Sequence, residues 1–239
     1  MPSSLTDVLI IALFAGLAMP LGALFSTIHA IQPRWLAKEL RHGILALGAG
    51  ALVSAVALVL VPQGLEGLPT FVGVGCFVAG AIGFMGLDIF FARNKSKASQ
   101  LAAMLTDFIP ESIALGAAAA TGGSTLLLGG LIGLQNLPEG FNAFREMAPN
   151  TKRKKMRLLL MFTAMALLGP LMTLIGFWVL GDYPVLLSGI MLFAGGGILY
   201  SVFQDIAPQV PMKNHWVPTL GAILGFALGM VGFLLERHQ

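Results

Sequence analysis

Charge is scarce in this chain. Only 10% of its 239 residues are Asp, Glu, Lys or Arg, against about 25% in a soluble domain, and 56% are hydrophobic. A soluble fold could not cover its surface with so little charge, so the composition reads as an integral membrane protein. At about 20 apolar residues per crossing, eight helices with short connections use up the length and leave no room for a sizeable soluble domain. Cysteine is nearly absent too. The lone Cys76 lies in an apolar stretch, which excludes a disulfide framework and a cysteine-rich metal site.

Long apolar runs predict eight helical spans, near 6–28, 41–60, 70–91, 99–120, 124–147, 156–180, 184–206 and 216–235. The chain is thus expected to be a single all-α transmembrane domain over 1–239. The first run is too long for a signal-peptide core and is read as a retained helix. The connections after spans 1, 3, 5 and 7 hold 13 of the 14 basic residues, including the run Lys152–Arg157. Those after spans 2, 4 and 6 hold none. The positive-inside rule then places both termini on the non-cytoplasmic side of a multi-pass protein, expected in the cell (inner) membrane. It also turns the basic isoelectric point away from nucleic acid: the basic run is a juxtamembrane loop that sets topology and can touch anionic lipid.

Three pairs of sequence features recur across the chain. Pro20-Leu21-Gly22 in the first span matches Pro170-Leu171-Met172 in the sixth. Val61-Pro62-Gln63 at the end of the second matches Ala207-Pro208-Gln209 at the end of the seventh, 146 residues on. Asp107-x-x-Pro110-Glu111 in the fourth matches Gln135-x-x-Pro138-Glu139 in the fifth. Members of each pair lie an odd number of spans apart and so cross in opposite directions. Spans 1–3 and 6–8 are then expected to be inverted repeats around a central 4/5 pair, an arrangement that puts a substrate site near the bilayer midplane.

Asp107, Glu111 and Glu139 fall in mid-span with no Lys or Arg at matching depth. A charge there is costly unless paired or facing a polar cavity, so three carboxylates without a protein cation need protons or a metal. Asp107 and Glu111 are four residues apart on one helix face, as are Gln135 and Glu139. Two such faces turned together make a cage of three carboxylates and an amide oxygen. Pro110 and Pro138 each remove an amide donor and free the carbonyls of Thr106 and Leu134, which a membrane tolerates only where something polar meets them. The competing structural reading is a set of protonated carboxyls bridging helices. It accounts for one acid more readily than for three with two prolines. Asp88 is expected to pair with Arg93, and His29, His42 and His215 to be solvated or interfacial.

The segments Asp107-Phe108-Ile109-Pro110-Glu111-Ser112 and Gln135-Asn136-Leu137-Pro138-Glu139-Gly140, with Tyr200, Phe203 and Pro208 in the seventh span, resemble motifs of the ZIP (Zrt/Irt-like) family of divalent-metal transporters. The likeness is to a bacterial-type member with a divergent fourth span, and covers essentially the whole chain. It implies an importer, not an enzyme, that moves Zn²⁺ or a related ion (Mn²⁺, Fe²⁺, Cd²⁺) towards the cytoplasm through a site between spans 4 and 5. The metal is the substrate, and no cofactor is expected. The chain departs from the family where its histidine is Asp107, its following Asn is Phe108, and its glutamate before Pro-Leu in the sixth span is Gly169. The second metal site that many members have is therefore expected to be absent or crippled, leaving Asp107, Glu111, Gln135 and Glu139 as metal ligands, with Asn136 and Met104 beside them. The alternative is a ZIP-like protein that no longer transports and serves as a metal sensor or membrane scaffold. The expected partners are a divalent metal ion and the lipid bilayer, with a homodimer left open.

Overall fold

The computed structural model describes residues 4–27, 34–93, 97–120, 122, 125–147, 151–180, 183–211 and 216–237, and within its helices leaves aside the side chains of 34–38, 40, 41, 91, 92, 97–103, 107, 146, 152, 180, 236 and 237. Among these residues helix is the only regular structure, in eight successive rods. They are α1 (Leu5–Phe25), α2 (34–66), α3 (Thr70–Arg93), α4 (Lys97–Ala120), α5 (Thr125–Met147), α6 (152–180), α7 (184–209) and α8 (Val217–Arg237). Among the described residues six of them, α1–α3 and α6–α8, are long and apolar enough to cross a membrane. The other two carry the mid-span polar residues Asp107, Glu111, Gln135 and Glu139. Large apolar side chains stand out from the bundle, among them Phe71 at 94% exposure and Trp216 at 85%. A water-soluble surface rarely presents so much apolar area, whereas bilayer hydrocarbon covers it at no cost.

Local sequence sets where the rods begin and bend. Ser4 and Asp7 form a reciprocal capping box that starts α1. In α6 the rod breaks at Leu167, between Lys152–Ala166 and Leu168–Ile175. Pro170 has no amide hydrogen to offer the Ala166 carbonyl four residues back. α2 begins at 34 and not 41, and it runs past its expected end because a π turn, Val56–Leu60, joins Arg34–Ala55 to Val61–Glu66. α7 likewise runs past its expected end through a π turn at Val202–Ile206 and a short 3₁₀ turn at Ala207–Gln209. A proline stands two residues after each of these two π turns, and the wider turn lets the chain reach it without the clash that a regular α-helix would suffer there; a third π turn, Gly176–Leu180 at the end of α6, has no such proline.

Packing pairs the rods closely. α2 lies along α8, and α3 along α7. A Cβ on Gly50 would collide with the backbone of Ala222, and one on Gly225 with that of Leu47. In the other pair a Cβ on Gly196 would collide with Phe77, and one on Gly80 with Phe193. Backbones this near are the product of small residues, which let helices meet without a side chain between them. α1 packs on α5, and α4 on α6, through similar contacts: Gly140 against Met19, and Gly116 against Thr173. α1 and α6 cross where a Cβ on Gly16 would stand 2.7 Å from the Ala166 carbonyl. α4 and α5 touch each other inside this frame, with α2 against α5 and α7 against α4.

Candidate functional site

Pro110 and Pro138 lie inside unbroken helices, α4 and α5, so the residues that follow them keep helical register and face the neighbouring rod. Glu111 is 2% exposed and Gln135 1%. The side chains meet between α4 and α5: Gln135 Nε2 donates to both Oε1 and Oε2 of Glu111, each at 2.5 Å. These contacts are shorter than the usual 2.7–3.2 Å of an N–H···O bond. Gln135 Oε1 is buried with no hydrogen-bond partner among the described residues, and Glu139 Oε1 is buried as well. Among the described residues the place gathers buried oxygens of Glu111, Gln135 and Glu139. Such a cluster is stabilised by positive charge, carried either by protons or by a cation.

The cations of the two site helices lie towards their ends. Arg145 sets its guanidinium 5.5 Å from the centre of the Phe141 ring, and Lys97 opens α4. Asp107 is one helical turn before Glu111 on α4, but its side chain lies outside the described residues. Among those residues no three His, Cys, Asp or Glu side chains gather closely enough to hold a metal. Of the four expected ligands, then, the structure brings Glu111 and Gln135 into contact and buries an oxygen of Glu139.

The neighbours of this site correct some expectations. Asn136, expected beside the ligands, also acts as a tether: Nδ2 donates to the Ala15 carbonyl of α1 at 2.8 Å. Met104 packs in the hydrophobic core. Phe108 is 1% exposed, and its ring tip fills the space between two glycines. A Cβ on Gly169 would stand 2.8 Å from Phe108 Cζ, and one on Gly16 3.1 Å. Asp88 accepts from Tyr200 Oη of α7 at 3.3 Å instead of pairing with Arg93. His42 binds the Gln209 carbonyl through Nδ1 at 2.6 Å; His29 and His215 lie outside the described residues.

Two residues that hold the site were not legible in the sequence. Thr173 Oγ1 donates to the Ser112 carbonyl at 3.0 Å, bracing α4 from α6 just beyond Glu111. Gly48 lets α2 rest on the ring of Pro138, where a Cβ would stand 2.7 Å from Cγ. Neither sits in a motif, and only the tertiary contact reveals it. No family model matches the chain, and no curated protein matches it.

Proposed function

We propose that this protein is a divalent-cation transporter with one carboxylate-rich site between α4 and α5. The observation that carries the reading is the buried meeting of Glu111 and Gln135, with a further amide acceptor unpartnered among the described residues, inside a bundle whose other helices suit a bilayer. A buried carboxylate beside a primary amide offers oxygen ligands to a metal. In this reading Gln135 turns its amide so that Oε1, and no longer Nε2, faces the ion. Asp107 and Glu139 complete the set, and all eight helices cross the membrane with both termini on the non-cytoplasmic side. The ion moves towards the cytoplasm as substrate.

The inverted-repeat scheme is part of the same proposal and has support of its own. The π turns of α2 and α7 stand 146 residues apart, as do Gly50 and Gly196, while Gly80 and Gly225 stand 145 apart. Under that pairing the α2–α8 contact becomes the α7–α3 contact, and α1–α5 becomes α6–α4. The pairing breaks where Phe108 stands opposite Asn136. A phenyl ring wedged between Gly16 and Gly169 offers no ligand, which favours one ion over two.

An anomalous-scattering map of protein soaked in Mn²⁺ or Zn²⁺, together with uptake of the same ion into proteoliposomes, tests the proposal. Density between Glu111 and Glu139 with uptake is the expected result. Binding without uptake selects the transport-inactive sensor or scaffold, and absence of both overturns the reading.

A further inference from the structure

Helices α2 and α7 carry the same interruption in the same register. In α2 the Val61 amide donates to Val56 O, five residues back, and in α7 the Ala207 amide donates to Val202 O. Pro62 and Pro208 follow, and neither can donate. The carbonyls of Ala57 and Phe203 are thereby left without an intrahelical donor in either register, since the α partner is committed elsewhere and the π partner is a proline. A rod with a missing rung bends there more easily than anywhere else along its length. Single π turns inside α-helices are frequent at functional sites for the same reason.

The two interruptions lie at opposite ends of the bundle. The end turn of α2 packs on the start of α7: a Cβ on Gly64 would stand 2.6 Å from Leu192 Cγ. The end turn of α7 reaches the start of α2, where His42 binds the Gln209 carbonyl. α2 and α7 are therefore antiparallel. Between the two interruptions each rod is a wall of the candidate site, α2 against α5 at Pro138 and α7 against α4. Each end turn thus has a bendable joint on its inner side and a fixed wall beyond that joint.

We propose that Val56–Leu60 and Val202–Ile206 are paired hinges. Each lets the short turn beyond it, Val61–Glu66 or Ala207–Gln209, swing off its neighbour, so that the α4–α5 site opens to one end of the bundle at a time. The inference rests on the transport reading for its purpose, and on the two π turns and their antiparallel placement for its mechanics.

The test uses the full-length protein in liposomes and in detergent. Pro62→Ala and Pro208→Ala each restore an amide donor and stiffen one hinge. Mn²⁺ affinity by calorimetry should stay within about twofold of the parent, while Mn²⁺ uptake falls about tenfold because opening, not binding, is impaired. Spin labels at Glu66 and Val185 report one end, and labels at Glu39 and Pro211 the other. Two distances are expected at each end of the parent, with only the end nearest the substituted proline collapsing to one. If Pro208→Ala fails to fold, Pro208→Ser, which also restores the amide donor, takes its place, and if Pro62→Ala fails, Gly64→Cys with Leu192→Cys in a Cys76→Ser background replaces it. Oxidation should block uptake and a phosphine reductant restore it. Unchanged uptake together with unchanged distances overturns the hinges. Should the parent neither bind nor import Mn²⁺, the transport reading fails, and the paired distances alone decide: two at each end of the parent and one beside the substituted proline sustain the hinges, and any other pattern overturns them.

Discussion

Glu111 gives both its oxygens to one amide nitrogen of Gln135 at a depth where almost nothing is exposed. If a cation is what that arrangement serves, Glu111→Ala and Glu139→Ala should each weaken Mn²⁺ binding by well over about 100-fold, more than the loss of an outer-shell partner causes; calorimetry measures it. Asn136→Ala should behave differently. Its amide holds α5 to Ala15, whose carbonyl keeps a helical partner inside α1, so the expected cost is about 0.5–1.5 kcal/mol of stability from one lost hydrogen bond, with metal affinity changed only a few-fold. Damage to binding equal to that of Glu139→Ala would overturn the single-site reading. The ligand set is oxygen throughout, and oxygen suits harder ions better than imidazole or thiolate does. Mn²⁺, Zn²⁺, Fe²⁺ and Cd²⁺ should all compete in a displacement assay, without a preference for Zn²⁺ over Mn²⁺ of several orders of magnitude.

The rods are held by close backbone approach, and the glycines that permit it are separable by experiment from those that do not. Gly50→Ala and Gly196→Ala both drive a methyl into a facing backbone, where no side chain can move aside. Each should cost about 2 kcal/mol or more, as overpacking of a tight interior does. On α3, a methyl added at Gly75 or Gly86 would meet nothing within 4 Å, so alanine there should be neutral or gain up to about 1 kcal/mol from helix propensity. Thermal denaturation in one detergent compares all four. Equal losses at all four positions would show that packing does not distinguish them, against the contacts described. The prolines also divide at this scale. Pro110 and Pro138 lie within continuous helix, whereas Pro170 breaks α6 and Pro62 and Pro208 follow π turns. The same residue type thus has three outcomes, decided by what packs against each rod.

For the whole molecule, the proposed function ties metal to protons. A divalent ion and protons compete for the same carboxylate oxygens, so binding should release protons and weaken as pH falls. Titration in buffers of different ionisation enthalpy counts them; zero release at pH 6, with affinity unchanged between pH 5.5 and 7.5, would refute the competition. Orientation is measurable independently: tags on the two termini of the protein in intact spheroplasts should both be reached by an impermeant reagent.

Composition alone determined that this chain is helical and built for a membrane, because so little charge cannot dress a soluble surface and each apolar run must close its own hydrogen bonds. The i, i+4 spacing placed Glu111 on one face of its helix and Gln135 and Glu139 on one face of theirs, since helical period is a local property. The prolines marked where donors are missing, but not what the chain does about it. That α4 and α5 face each other, that Asn136 reaches Ala15, that Thr173 reaches Ser112 across 61 residues, and that Asp88 chooses Tyr200 over Arg93 were decided only in three dimensions. The reason is physical: each depends on which backbones come near enough to touch, and that is set by small residues on two rods at once. The π turns of α2 and α7 belong to the same class, because a proline permits a wider turn and only the packing of the rods on either side requires one.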